Sequence, residues 1–124
     1  MSLSCDWDGD IEPGMVMCDY PFRVEALATK RARNCCSCGK LIEVGEPCNE
    51  WRRYKVPEYD IEIAIWGDCG DQGPPRASYF HCVDCGLLAD FLHGQKYVFS
   101  PADDMRELAK EHAALVRAGQ AGCL

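Results

Sequence analysis

Cys35-Cys36-Ser37-Cys38-Gly39 and Phe80-His81-Cys82-Val83-Asp84-Cys85-Gly86 decide how this chain folds. Each stretch holds a C-x-x-C pair, Cys35 with Cys38 and Cys82 with Cys85. One such repeat in a small domain is a ligand pattern for structural zinc. Two thiolates two residues apart turn back on one metal through a tight knuckle, and a glycine follows each pair where that turn favours it. A tetrahedral site closed by four sulfurs leaves no open coordination position, so it holds structure and does not activate water. Cys36 is the alternative ligand in the first pair, although Cys36-x-Cys38 is one residue shorter than the usual knuckle. His81 is a second alternative, through His-x-x-x-Cys; otherwise it is a hydrogen-bonded histidine at a strand end.

The chain has 124 residues, the length of one domain, with a thin supply of apolar side chains that makes a metal staple valuable. Ten cysteines approach the density of a disulfide scaffold. Against that stand the C-x-x-C spacing, the adjacent Cys35 and Cys36, and an opening Met1-Ser2-Leu3-Ser4-Cys5-Asp6-Trp7-Asp8 with no secretory signal pattern. The expectation is a reduced, cytoplasmic protein. No run approaches the roughly 18 apolar residues of a membrane span, and Cys123 next to the last residue does not form a prenylation box. Cys5, Cys18, Cys48 and Cys69 are numerous enough for a second metal but follow no ligand spacing, so buried free thiols are expected there.

The net charge of -7 disfavours indiscriminate binding to a phosphate backbone. Between Pro21 and Val56, however, eight basic residues stand against four acidic ones, a local balance of +4. Lys30, Arg31, Arg33, Lys40, Arg52, Arg53 and Lys55 are the candidate nucleic-acid contacts, with Trp51 or Tyr54 to stack on a base. A solvated surface is the plainer account of these charges.

Along the chain, 1–22 reads as an irregular arm rich in Asp, Gly and Pro, and 23–124 as the single domain. Leu41-Ile42-Glu43-Val44 is a short strand, Gly45-Glu46-Pro47 a turn, and Cys48 to Val56 a returning strand. Ile61, Ile63 and Ile65 alternate with Glu62 and Ala64, the period of a half-buried strand. Asp68 to Pro75 is a loop, and Ala77 to His81 a last strand. A helix from about Asp84 carries Leu87, Leu88, Phe91 and Leu92 and stops at Gly94. A second has Ser100 as N-cap, Pro101 at its first position and Asp103 in a capping box, with Met105, Leu108, Ala109, His112, Leu115 and Val116 on one face and Gly119 at its end.

Knuckle, hairpin, then a second C-x-x-C opening a helix is the order of a treble-clef zinc finger, so the fold class expected is α+β, a small zinc-stabilised treble-clef-like domain with a short antiparallel sheet and two C-terminal helices. Ala32-Arg33-Asn34-Cys35-Cys36-Ser37-Cys38-Gly39-Lys40-Leu41-Ile42-Glu43-Val44-Gly45-Glu46 and Phe80-His81-Cys82-Val83-Asp84-Cys85 resemble a type of small phage and prophage protein of unassigned role. The resemblance spans about Lys30 to Leu92, and the stretch from Val56 to Pro75 is longer than the short hairpin of such proteins. It implies a cytoplasmic zinc protein of an infected bacterial host, and no activity.

Three functional classes follow. A zinc-stabilised interaction module fits the acidic composition, the aromatic residues Trp51, Tyr54, Tyr59 and Trp66, and the long middle segment; a protein partner is favoured. A nucleic-acid-binding finger is the alternative. A nuclease of the His-Asn-His kind needs a general-base histidine paired with a metal-holding residue beside the finger. His81, His93 and His112 are not so placed, and no phosphate loop, dinucleotide fingerprint or nucleophile elbow occurs. Neither an enzyme nor a small-molecule substrate is expected.

Overall fold

A nine-residue strand, β5 (Pro47–Lys55), is the spine of the protein in the computed structural model, which describes residues 3, 5, 11–21, 27–67 and 73–119. Strand β6 (Pro75–Cys82) pairs antiparallel along one edge of β5, with Cys48 opposite Cys82 and Tyr54 opposite Pro75. Two short strands also pair antiparallel with β5: β1 (Val16–Cys18) near its end, Val16 opposite Lys55, and β2 (Leu27–Ala28) near its start, Leu27 opposite Cys48. A separate two-stranded ribbon, β3 (Arg33–Asn34) with β4 (Leu41–Ile42), carries the first cysteine pair at its turn. Among the described residues three helices complete the regular structure: α1 (Asp60–Trp66), α2 (Val83–Gly94) and α3 (Met105–Arg117). The α+β class and the small antiparallel sheet expected from sequence are therefore present.

The core forms where β5, β6, α2 and α3 meet. Helix α2 turns Cys85, Ala89 and Leu92 inward at helical spacing, and α3 answers with Met105, Leu108 and His112. Trp51 is the sheet's main contribution. Its indole meets Tyr20, His81 and Phe99 edge-on, with ring centroids 5.4, 5.5 and 6.1 Å away. Edge-to-face contacts of this kind add to plain area burial. Tyr20 stacks on His93 at 3.8 Å and donates its hydroxyl to Asp90 at 2.5 Å, tying the segment before β2 to α2.

Three elements differ from the sequence reading. Residues 16–18, placed in an irregular arm, form a sheet strand. Ile61, Ile63 and Ile65, expected on a strand, lie on helix α1. Alternation favoured a strand, but a strand needs a partner, and β5 is already paired with β6 and with β1 and β2. Helical local bonds win instead: the Glu62 carboxylate accepts from the N–H groups of Glu58 (3.0 Å) and Tyr59 (3.2 Å) and pairs with Lys55 at 3.1 Å. Finally, the α3 N-cap is Asp104, which accepts from the N–H groups of Arg106 (3.0 Å) and Glu107 (3.2 Å). Ser100 and Asp103 do bond each other, but as a tight turn ahead of the helix: Asp103 N–H donates to the Ser100 carbonyl, and Ser100 N–H to the Asp103 carboxylate, both at 3.0 Å. Gly119 ends α3 as expected, at φ +72°.

Gly86 has a different use from the one its place after Cys85 suggested. It lies inside α2, and a Cβ there would fall 2.3 Å from the side-chain nitrogen of the buried Asn49 on β5. Gly86→Ala is expected to cost about 1–3 kcal/mol in forced displacement, of which the better helix propensity of alanine returns at most about 1 kcal/mol. Its denaturation midpoint should fall, whereas Gly94→Ala, at the open end of the same helix with no atom within 4 Å, should hold or gain stability. Equal midpoints for the two variants would contradict the helix-to-strand contact.

Candidate metal centre

The first cysteine pair sits on the turn between β3 and β4. The Cys35 N–H donates to the Lys40 carbonyl at 2.8 Å, and Gly39 N–H to the Cys35 carbonyl at 2.9 Å. Gly39 takes φ +78°, the left-handed conformation a side chain resists, so the glycine after this pair has the role its position predicted. The second pair lies at the junction of β6 and α2, with Cys82 the N-cap of the helix and Cys85 in its first turn. Free N–H groups and the positive end of the helix dipole favour a thiolate there. A bond from the Cys36 N–H to the Phe80 carbonyl, at 2.9 Å, docks the knuckle on β6 just ahead of that junction.

These two anchors bring the sulfurs of Cys35, Cys38, Cys82 and Cys85 within 4.8 Å of one another. The Cys38 and Cys82 sulfurs stand 3.8 Å apart. That is far beyond a disulfide bond of about 2.05 Å. It is what a tetrahedron with metal–sulfur bonds of about 2.3 Å requires, an edge of roughly 3.8 Å. All four are free thiols. Cys38 is the outermost, while the other three are buried. The group fits a tetrahedrally bound metal ion, and it is the only such cysteine cluster among the described residues.

Electrostatics points the same way. Burial pushes the Cys35 thiol up, but N–H groups of Cys38, Cys82 and Ser37 outweigh it and bring it down to about 7. Burial raises Cys82 and Cys85, and the negative charge on Cys35 raises both further. Four thiolates in one buried sphere repel, and a divalent cation relieves that repulsion while displacing their protons.

A second ring of contacts fastens α3 to the knuckle. The Ser37 hydroxyl accepts from the Met105 N–H at 2.9 Å, at the first residue of α3. The same side chain bonds the Cys85 sulfur and favours its ionised form. Cys36 turns away from the cluster: its thiol donates to the Pro101 carbonyl at 3.1 Å, and burial pushes it up to about 12. His81 is fully buried and also meets the Pro101 carbonyl, through Nε2 at 2.6 Å. Its Nδ1 accepts from the Trp51 indole N–H at 3.1 Å, so the proton of the neutral ring sits on Nε2 and donates to Pro101. Burial holds its pKa below the ordinary range, in keeping with a neutral ring. Neither nitrogen has a lone pair left for a metal, so the histidine at the strand end is structural.

The remaining cysteines form no second cluster among the described residues. Cys48 is a fully buried core thiol in register with Cys82, and Cys18 is half-buried. Cys5 is disulfide-bonded and so departs from the free thiols expected. Cys69 lies outside the described residues.

The seven candidate nucleic-acid contacts have different surroundings. Arg33 lies over the Phe80 ring at 4.0 Å, Arg53 over Tyr79 at 4.1 Å, and Lys55 over Tyr59 at 4.6 Å. Lys55 also pairs with Glu58 and Glu62. Lys30, Arg31, Lys40 and Arg52 are exposed. Of the four aromatic residues singled out, Trp51 is core, Tyr54 and Trp66 are half-buried, and Tyr59 is exposed. The chain matches no known family model, no curated protein and no solved structure, so the resemblance to small phage proteins is carried by the quoted motif residues alone. Among the described residues no helix is long and apolar enough to cross a membrane.

The Trp51–His81–Pro101 chain is what sequence reasoning missed; the one signal for it was His81 beside a ligand cysteine. Trp51→Phe keeps a ring in the core but leaves the buried Nδ1 of His81 without a donor. An unsatisfied buried acceptor costs about 1–3 kcal/mol. A urea titration should show a lower midpoint with an unchanged slope; an unchanged midpoint would mean that this bond contributes nothing.

Proposed function

We propose that Cys35, Cys38, Cys82 and Cys85 hold one zinc ion that closes the fold, and that the closed scaffold is a non-catalytic module recognising another protein. All-sulfur tetrahedral donor sets suit zinc, which has no geometric preference of its own to satisfy. Four free ligand thiols are in keeping with a reducing compartment such as the cytoplasm, whereas the disulfide at Cys5 runs against it. The motif resemblance supports a setting in an infected bacterial host, with a host or phage protein as partner.

The observation that carries the recognition reading is the outer face of α1. Ile61, Ile63 and Ile65 are 67, 52 and 59 % exposed, and no residue of this helix is buried. Scattered exposed apolar residues are ordinary, but Ile61 and Ile65, one turn apart, share one side of this short helix and form an apolar pair whose cost in water a partner would relieve, with Ile63 exposed on the other side. Glu58 and Asp60 stand exposed beside it. The complementary surface is therefore an apolar protein segment flanked by lysine or arginine.

Two experiments test the two halves. Native mass spectrometry should find one zinc per chain, lost with a chelator. Cys85→Ser should unfold the protein, because a structural zinc site is worth about 10–16 kcal/mol in small fingers against a total stability of about 5–15 kcal/mol. Cys38→Ser, at the outer vertex, should fail the same way; a metal-free Cys38→Ser protein that melts like the wild type refutes the site. For recognition, the tagged protein is compared with an Ile61→Ser/Ile65→Ser variant in pull-downs from bacterial lysate. The variant should fold normally, since both side chains face water, and should lose a protein that the wild type retains. Retention of nucleic acid instead, released steeply by salt, would transfer the assignment to the nucleic-acid reading.

A further inference from the structure

A second feature, on the sheet and away from the sulfurs, has no part in that function. Between Trp51 and Arg53 the pairing of β5 with β6 slips: Trp51 faces Tyr79, but Arg53 faces Arg76 rather than Ala77. The extra residue lies on β6, a β-bulge. Its effect is to set two guanidinium-bearing residues in direct cross-strand register, an arrangement that like charges disfavour. Arg52 joins them, and all three line a cleft of about 370 Å³ whose wall also includes Tyr54, Ser78, Asp19 and Glu50.

Asp19 and Glu50 offset only part of the arginine charge in this cleft. None of Arg52, Arg53 and Arg76 forms an ion pair among the described residues. Arg53 donates Nη1–H to the Ala77 carbonyl at 3.0 Å and lies over the Tyr79 ring, which fixes its plane. Its Nε is buried with no hydrogen-bond partner. Ser78 donates its hydroxyl to Glu50 at 2.7 Å, which occupies one oxygen of that carboxylate. Three arginines against the two carboxylates Asp19 and Glu50 leave the lining of this cleft positive, in a chain whose net charge is -7.

We propose that this cleft binds a small phosphate monoester carrying hydroxyl groups, such as a sugar or nucleoside phosphate. Arginine forks match the geometry of phosphate oxygens, and a dianion neutralises the Arg53–Arg76 pair directly. Asp19 and Glu50 supply acceptors for hydroxyl groups. The volume suits a small organic ligand rather than a bare ion. A long nucleic acid is the poorer occupant, because the acidic chain repels its further phosphates.

Calorimetric titration of the full, zinc-loaded chain with adenosine 5′-monophosphate tests this. Saturable one-to-one binding is expected, tighter than for inorganic phosphate. Arg76→Ala should weaken it at least about tenfold, the loss of one charge-assisted hydrogen bond. Arg76 is exposed, so the variant keeps its fold, checked by an unchanged melting curve. Arg106→Ala removes an equal charge from α3 and should bind like the wild type. No saturable heat, equal losses in the two variants, or binding of a single-stranded oligonucleotide but not of the monophosphate would each overturn the proposal. None of these outcomes depends on the isoleucine face of α1, so this site and the protein-recognition reading stand or fall separately.

Discussion

Four sulfurs from two distant segments meet inside one sphere, and nearly every long-range arrangement in this protein either produces that meeting or leans on it. The β3–β4 turn supplies one pair and the β6–α2 junction the other. The loop before α3 is then fixed to the same spot: the Pro101 carbonyl receives both Cys36 and His81, and Ser37 receives the first N–H of α3. Knuckle, sheet and both C-terminal helices thus share one anchor. With about a dozen buried side chains in the apolar core among the described residues, such an anchor offsets chain entropy that packing alone covers poorly.

The centre was legible because its chemistry is local. A C-x-x-C spacing constrains which atoms can converge whatever the rest of the chain does, and glycine at position 39 marks a turn that few other residues enter. The two long strands and α2 were legible from their ends, where glycine, proline and the cysteines punctuate the chain. Isoleucines 61, 63 and 65 misled because alternation reports a preference, while the availability of a strand partner is decided elsewhere in the sheet. Ser100 misled for a related reason: two overlapping capping signals stood four residues apart, and the docking of Met105 on Ser37 selected the later one. The histidine network and the arginine cluster were illegible, since both depend on cross-strand register.

Charge is distributed by use. Arg33, Arg53 and Lys55 lie against aromatic faces, while the bulge in β6 sets Arg76 opposite Arg53, and both line the cleft together with Arg52. A count of basic residues along the chain sees one patch; the fold puts them in different surroundings, with Arg53 both stacked on Tyr79 and lining the cleft.

The arrangement of β5 has a bearing on solubility. An unpaired strand edge is a template for strands of other molecules, and proteins blunt such edges or suffer for it. Here the longest strand is interior, paired on both sides. The outer strands β1 and β2 run for only three and two residues. The remaining edge, β6, is interrupted at Ala77 by its extra residue and capped near Phe80 by the knuckle. No long, flat row of free peptide groups is offered among the described residues, and the irregularity that shapes the cleft also guards against edge-to-edge polymerisation.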